Sequence, residues 1–81
     1  MIGHDIINGI ADGSLIKYFK EKCDDRITGF TTIEMTSYYC RIFFSKEKDE
    51  EIGVATFTAA KSMSFGSTQE TMYSEPMYER F

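Results

Sequence analysis

The groups able to do chemistry in this chain are few: one histidine, two cysteines and thirteen carboxylates among 81 residues. Nucleophilic catalysis needs a nucleophile, a base and a group that orients the base, and His4 is the single imidazole available. Cys40 alternates with Tyr38 and Ile42 as a core residue would, and burial among apolar neighbours makes a thiol inert. Zinc takes Cys or His in close pairs, whereas His4, Cys23 and Cys40 are singletons. A calcium loop needs alternating ligands with a glycine at the turn, and the run KEKDEE at 46–51 has no glycine. The six glycines are scattered, so the sequence has no phosphate-cradling loop. The expectation is a chain without enzyme activity, metal or cofactor.

Binding groups are better represented. In the stretch 38–46, Tyr38, Cys40, Ile42 and Phe44 fall on one face by the two-residue period of a strand, and Tyr39, Arg41, Phe43 and Ser45 fall on the other. Both faces carry apolar groups, while a small sheet under one helical layer buries only one. Either the C-terminal residues Phe65, Met72, Tyr73 and Tyr78 close over Tyr39 and Phe43, or that pair stays open to a partner. Glu47, Asp49, Glu50 and Glu51 form an acidic cluster able to steer the chain toward a basic surface. Met35, Met63, Met72 and Met77, with Tyr73, Tyr78 and Phe81, supply adaptable apolar contact area.

These features define the candidate partner-binding set: Tyr39, Arg41, Phe43, Glu47, Asp49, Glu50, Glu51, Tyr73 and Tyr78. Two other readings use the same residues. The acids could imitate the phosphates of a nucleic acid, although Lys46 and Lys48 interleave with them. Aromatics beside Arg41 could stack single-stranded RNA bases, but the basic-glycine-aromatic signature of that fold is missing. Nine basic against thirteen acidic side chains, a net charge of −4, oppose direct nucleic-acid binding.

The elements that must position these groups follow from periodicity. Apolar residues at Ile2, Ile6, Ile7, Ile10, Leu15, Ile16, Tyr18, Phe19 and Cys23 repeat a helical face, which predicts a helical segment over 4–23. Asn8-Gly9 and Asp12-Gly13 interrupt it, splitting it into helices at 4–11 and 15–23, with Ser14 as the N-cap of the second. From Arg26 the composition turns to Thr, Ile, Phe, Tyr and Val, which predicts strands at about 26–35, 38–46 and 52–61. Thr36-Ser37 and the charged run 46–51 connect them as an antiparallel meander. Ser67-Thr68-Gln69-Glu70 matches a capping box and predicts a short C-terminal helix over 68–75, stopped by Pro76, or else an extended tail over 62–81.

The fold class expected is α+β: one domain over 1–81, with an N-terminal helical segment packed on a three-stranded antiparallel sheet. Apolar residues at 42% and aromatics at 15%, all Phe and Tyr, are enough to build one core. No apolar run reaches the roughly 18 to 20 residues of a membrane span, and the opening MIGHDIINGI lacks the basic and apolar regions of a signal peptide. Two unpaired cysteines fit a reducing cytoplasm. In size, acidity and want of catalytic groups the chain is similar to phage-encoded inhibitors of host enzymes or defence complexes, anti-CRISPR proteins among them. That resemblance implies an inhibitor or modulator whose partner is a larger host protein or ribonucleoprotein complex. Exposed edge strands and an aromatic tail also allow a homodimer.

Overall fold

The computed structural model describes residues 2–81, with the side chain of Phe65 outside the described set. Helix α1 spans Gly3–Ala11 and α2 spans Ser14–Lys22. Ile6 and Ile10 in the first, and Leu15 and Phe19 in the second, are four apart and turn one face inward. Asn8-Gly9 does not break α1, because the missing Cβ at Gly9 makes room for Leu15 of α2. The chain turns at Asp12-Gly13, where Gly13 adopts a φ of 81° that side chains resist. Gly13, rather than Ser14, is the N-cap of α2, and the preceding Asp12 carboxylate accepts the Ser14 N–H at 2.9 Å, hydrogen bonding to Ser14 lowering its pKa.

Five strands follow: β1 Gly29–Met35, β2 Tyr39–Lys46, β3 Glu50–Phe65, β4 Thr68–Tyr73 and β5 Met77–Arg80. They form one antiparallel sheet in the order β1-β2-β3-β4, with β5 also paired to β3. The three expected strands are present, but β3 is longer than expected and the sheet gains two more. Where the capping box predicts a helix, 68–73 is β4, paired with β3 from Phe65↔Thr68 to Ala59↔Tyr73. The tertiary demand of an unpaired β3 edge overrides the local signal, and Thr68, Thr71 and Tyr73 suit a pleated surface.

Strand β5 continues the same return path, from Thr56↔Met77 to Gly53↔Arg80, after an interruption at Ser74-Glu75-Pro76. It approaches β3 closely at Gly53, where a Cβ would overlap the Tyr78 hydroxyl. At the β2–β3 tip, Glu47–Asp49 makes one tight turn in which Lys48 and Asp49 take φ values of 66° and 60°. Both are left-handed backbone without a glycine to relieve it.

The helices cover one face of the sheet only. Cys40, Ile42 and Phe44 of β2, with Ala55 and Phe57 of β3, join Ile6, Leu15 and Phe19 in the core. Phe19 is its hub, with ring centroids 4.8 Å from Phe44, 6.3 Å from Phe57 and 6.1 Å from Tyr78. Burying each such ring contributes about 1.5 to 3 kcal/mol. Among the described residues, no helix is long and apolar enough to cross a membrane.

Candidate partner-binding face

Because β2 alternates, sinking Cys40, Ile42 and Phe44 under the helices turns Tyr39, Arg41 and Phe43 to the other side. Register extends this face across neighbouring strands. Arg41 stands between Glu34 of β1 and Thr56 of β3, and Phe43 between Thr32 and Val54. Met77 and Glu79 of β5 continue the two rows beyond Thr56 and Val54.

Arg41 organises the face. Its Nε donates to Glu34 Oε2 at 3.0 Å, its Nη2 donates to the same oxygen, and Nη2 also donates to the Tyr39 hydroxyl at 3.3 Å. The guanidinium carbon lies 4.6 Å from the Tyr39 ring centroid and 5.8 Å from that of Phe43, within cation–π range of both. Hydrogen bonding to Glu34 raises the Arg41 pKa further above its already high value, so the group is a fixed cation. The two rotamer-rich side chains, Arg41 and Glu34, are thus ordered in advance, which lowers the entropy cost of docking.

Among the described side chains, the C-terminal segment leaves Tyr39, Arg41 and Phe43 half-buried and does not close over this face. Tyr73 and Tyr78, expected as partner contacts, turn to the helix side instead, and Tyr73 is only 2% exposed. The Tyr73 hydroxyl donates to the Thr36 carbonyl at 2.8 Å, pinning the β1–β2 turn to β4. The Tyr78 hydroxyl is buried and has no hydrogen-bond partner among the described residues. Tyr73 is enclosed by the core, while Tyr78 is only partly buried against it. Of the other expected cover, the side chain of Phe65 lies outside the described set, and Met72 is half-buried on β4. What reaches the open face is Phe81, whose ring is 6.4 Å from Phe43, and Met77; they are 65% and 78% exposed.

Glu47, Asp49, Glu50 and Glu51 lie exposed at the β2–β3 tip, at one end of the sheet rather than among Tyr39, Arg41 and Phe43. Two of the four are engaged: Glu50 pairs with Lys46 at 3.0 Å, and Glu51 accepts from the Thr31 hydroxyl at 2.6 Å. Glu34 is the member of this arrangement absent from the expected set. It is visible only once the β1–β2 register sets it opposite Arg41.

The remaining reactive groups are dispersed. Cys40 is fully buried, and burial pushes its thiol up to about 11. Cys23 is exposed, and both cysteines are free thiols. His4 lies half exposed at the start of α1 beside Asp5 and Glu70. Among the described residues, no three His, Cys, Asp or Glu side chains are grouped to hold a metal. A cleft of about 330 Å³ between α2 and Pro76 is lined by Leu15, Tyr18, Phe19 and Phe57, with Asp5 and Glu75 also on its wall. No family model, curated protein or solved structure matches this chain.

Proposed function

We propose that this chain is a non-enzymatic binding protein that blocks or modulates a larger protein partner by docking the open face of its sheet. The observation that carries the reading is the Tyr39–Arg41–Phe43 row on a face that no helix covers, with Arg41 held by Glu34 and both rings. Tyr and Arg dominate interface hot spots, and ordered aromatic anchors lose little entropy on binding. Met77 and Phe81 enlarge the contact, and the acidic tip biases approach toward a basic surface.

Nucleic-acid mimicry draws less support, because Lys46 and Thr31 already occupy two of the four tip carboxylates. Direct RNA stacking is disfavoured by the Glu34 carboxylate on Arg41 and by Glu79 on the same face.

The test is salt-resolved capture of partners from host lysate on the immobilised chain. At about 1 M salt the screening length falls to about 3 Å. A stoichiometric protein retained there, and lost with Arg41→Ala, fits docking by the open face. Release by salt alone, or recovery of nucleic acid in place of protein, contradicts it.

A further inference from the structure

The two outer edges of the sheet are guarded unequally. On the β4/β5 side Ile2 bridges to Met72, the path is broken at Ser74-Glu75-Pro76, and Glu79 and Arg80 bring charge. Proline, interruption and charge are devices by which sheets refuse additional strands. Strand β1 has no lysine and no proline, its one charge, Glu34, is already paired with Arg41, and its one guard is the bulge between Phe30 and Thr32, which leaves 33–35 regular.

The backbone of β1 is also presented outward. Thr36 N–H donates to the Tyr39 carbonyl at 2.9 Å, which sets the hydrogen-bonded pairs of the hairpin. Counting back by twos, Glu34 and Thr32 turn their backbone groups to β2, so Ile33 and Met35 turn theirs to the free edge. Phe30, Ile33 and Met35 oppose Phe44, Ile42 and Cys40 and so belong to the helix side, yet they remain 37%, 37% and 39% exposed. Ile7 of α1, 53% exposed, shares a cleft with Met35. The helical layer stops short of this margin.

We infer that β1 is the interface between two copies of this chain, paired antiparallel about Ile33. Such pairing is self-complementary: the outward N–H and C=O of Ile33 meet the same groups of the second copy. Phe30, Ile33, Met35 and Ile7 then shield one another on the helix side. Centring on Ile33 avoids the alternative register in which two Glu34 carboxylates stand directly opposite. The two-fold axis is perpendicular to the sheet, so both sets of helices lie on one side and both Tyr39–Arg41–Phe43 rows on the other. The acidic tips diverge to opposite ends. The inference does not depend on the binding reading, but it would give that reading two docking rows on one continuous face.

The β1 bulge between Phe30 and Thr32 limits the length of pairing, so the interface falls below the roughly 1,200 Å² of stable complexes. The equilibrium is therefore sought between about 10 µM and 1 mM, the weak end of specific affinities. Sedimentation equilibrium is run on the wild type, Ile33→Lys and, as a control on the open face, Met77→Lys, with circular dichroism to verify folding. The wild type and Met77→Lys should rise from 9.3 kDa toward twice that mass, and Ile33→Lys should stay at 9.3 kDa. In parallel, amide exchange at Ile33 and Met35 of the wild type should slow several-fold from the lowest to the highest concentration. A wild type that stays monomeric throughout, an Ile33→Lys that dimerises equally, or a Met77→Lys that does not dimerise overturns the inference. If Ile33→Lys does not fold, the exchange measurement decides: unchanged rates at Ile33 and Met35 overturn it. Loss of partner capture by Arg41→Ala leaves these readouts untouched, so the two readings fail separately.

Discussion

The guanidinium of Arg41 lies 4.6 Å from the centre of the Tyr39 ring while donating to its hydroxyl, so one residue fixes both the position and the polarity of its neighbour. Glu34 holds the other side of the guanidinium. Docking should therefore depend on the row as a unit. Tyr39→Ala and Phe43→Ala should each weaken partner binding by about 30-fold or more, as hot-spot truncations of about 2 kcal/mol do. Both residues are half buried on the open side, so each should cost less than about 1.5 kcal/mol of folding stability. Titration calorimetry and urea unfolding separate the two effects.

Asp24 closes the turn between α2 and the sheet. Its carboxylate is 1% exposed and accepts from Arg26 N–H and Nε at 3.0 Å and Nη2 at 2.8 Å, with Arg80 Nε of β5 at 3.5 Å. The Arg26 hydrogen bond, against the opposing effect of burial, holds its pKa down from 3.8 to about 2. A carboxylate with a depressed folded-state pKa stabilises above its unfolded value and loses that contribution as pH falls. Stability should therefore decline between about pH 4 and pH 2, and Asp24→Asn should remove that part of the pH dependence. At neutral pH the same substitution should cost about 1 to 3 kcal/mol. Urea titrations at several pH values read both.

Tyr78 and Gly53 make a second testable pair. Burying a hydroxyl without a partner costs about 1 to 3 kcal/mol, so Tyr78→Phe should be neutral or stabilising by about 1 kcal/mol. Gly53→Ala drives a methyl into the Tyr78 hydroxyl and the β5 backbone and should destabilise by about 2 kcal/mol or more. Opposite signs in thermal melts are the expected result.

Two consecutive left-handed residues at the β2–β3 tip store backbone strain. Replacing Lys48-Asp49 by Asn-Gly, the pair that such tight hairpin turns favour, should raise stability by about 1 to 2 kcal/mol. Partner binding should change little, since the tip lies at one end of the sheet, away from Tyr39, Arg41 and Phe43. Denaturation midpoints and capture efficiency of the double variant check both statements.

The thiols should react in two classes. Cys23 is exposed, whereas Cys40 is enclosed by the core with its pKa near 11. At pH 8 a thiol reagent should label Cys23 on the native protein and Cys40 only after unfolding. Comparable labelling rates would show that the Cys40 environment opens readily.

Much of this architecture was legible because it depends on short-range periodicity. Ile6, Ile10, Leu15 and Phe19 mark the inner helical face, and the alternation through 38–46 separates Cys40, Ile42 and Phe44 from Tyr39, Arg41 and Phe43. What was hidden depends on pairing between distant segments. The capping box at 67–70 is a local signal, and nothing nearby reveals that β3 extends to Phe65 and needs a partner along its edge. With 68–75 read as a helix and the residues beyond Pro76 as a tail, the sides taken by Tyr73 and Tyr78 cannot be read from the sequence. Their inward direction is set by registers such as Ala59↔Tyr73 and Ala55↔Tyr78. Glu34 was overlooked for the same reason: a strand alone does not show what stands opposite.

The claim that the open face is the docking surface is tested most directly by quantitative capture with two matched variants. One is Tyr39→Ala with Phe43→Ala; the other is Glu47→Ser, Asp49→Ser, Glu50→Ser and Glu51→Ser, both verified as folded. The account predicts that the partner recovered by the wild type is lost with the first and kept with the second. Retention by the aromatic variant, with loss in the tip variant, would contradict it.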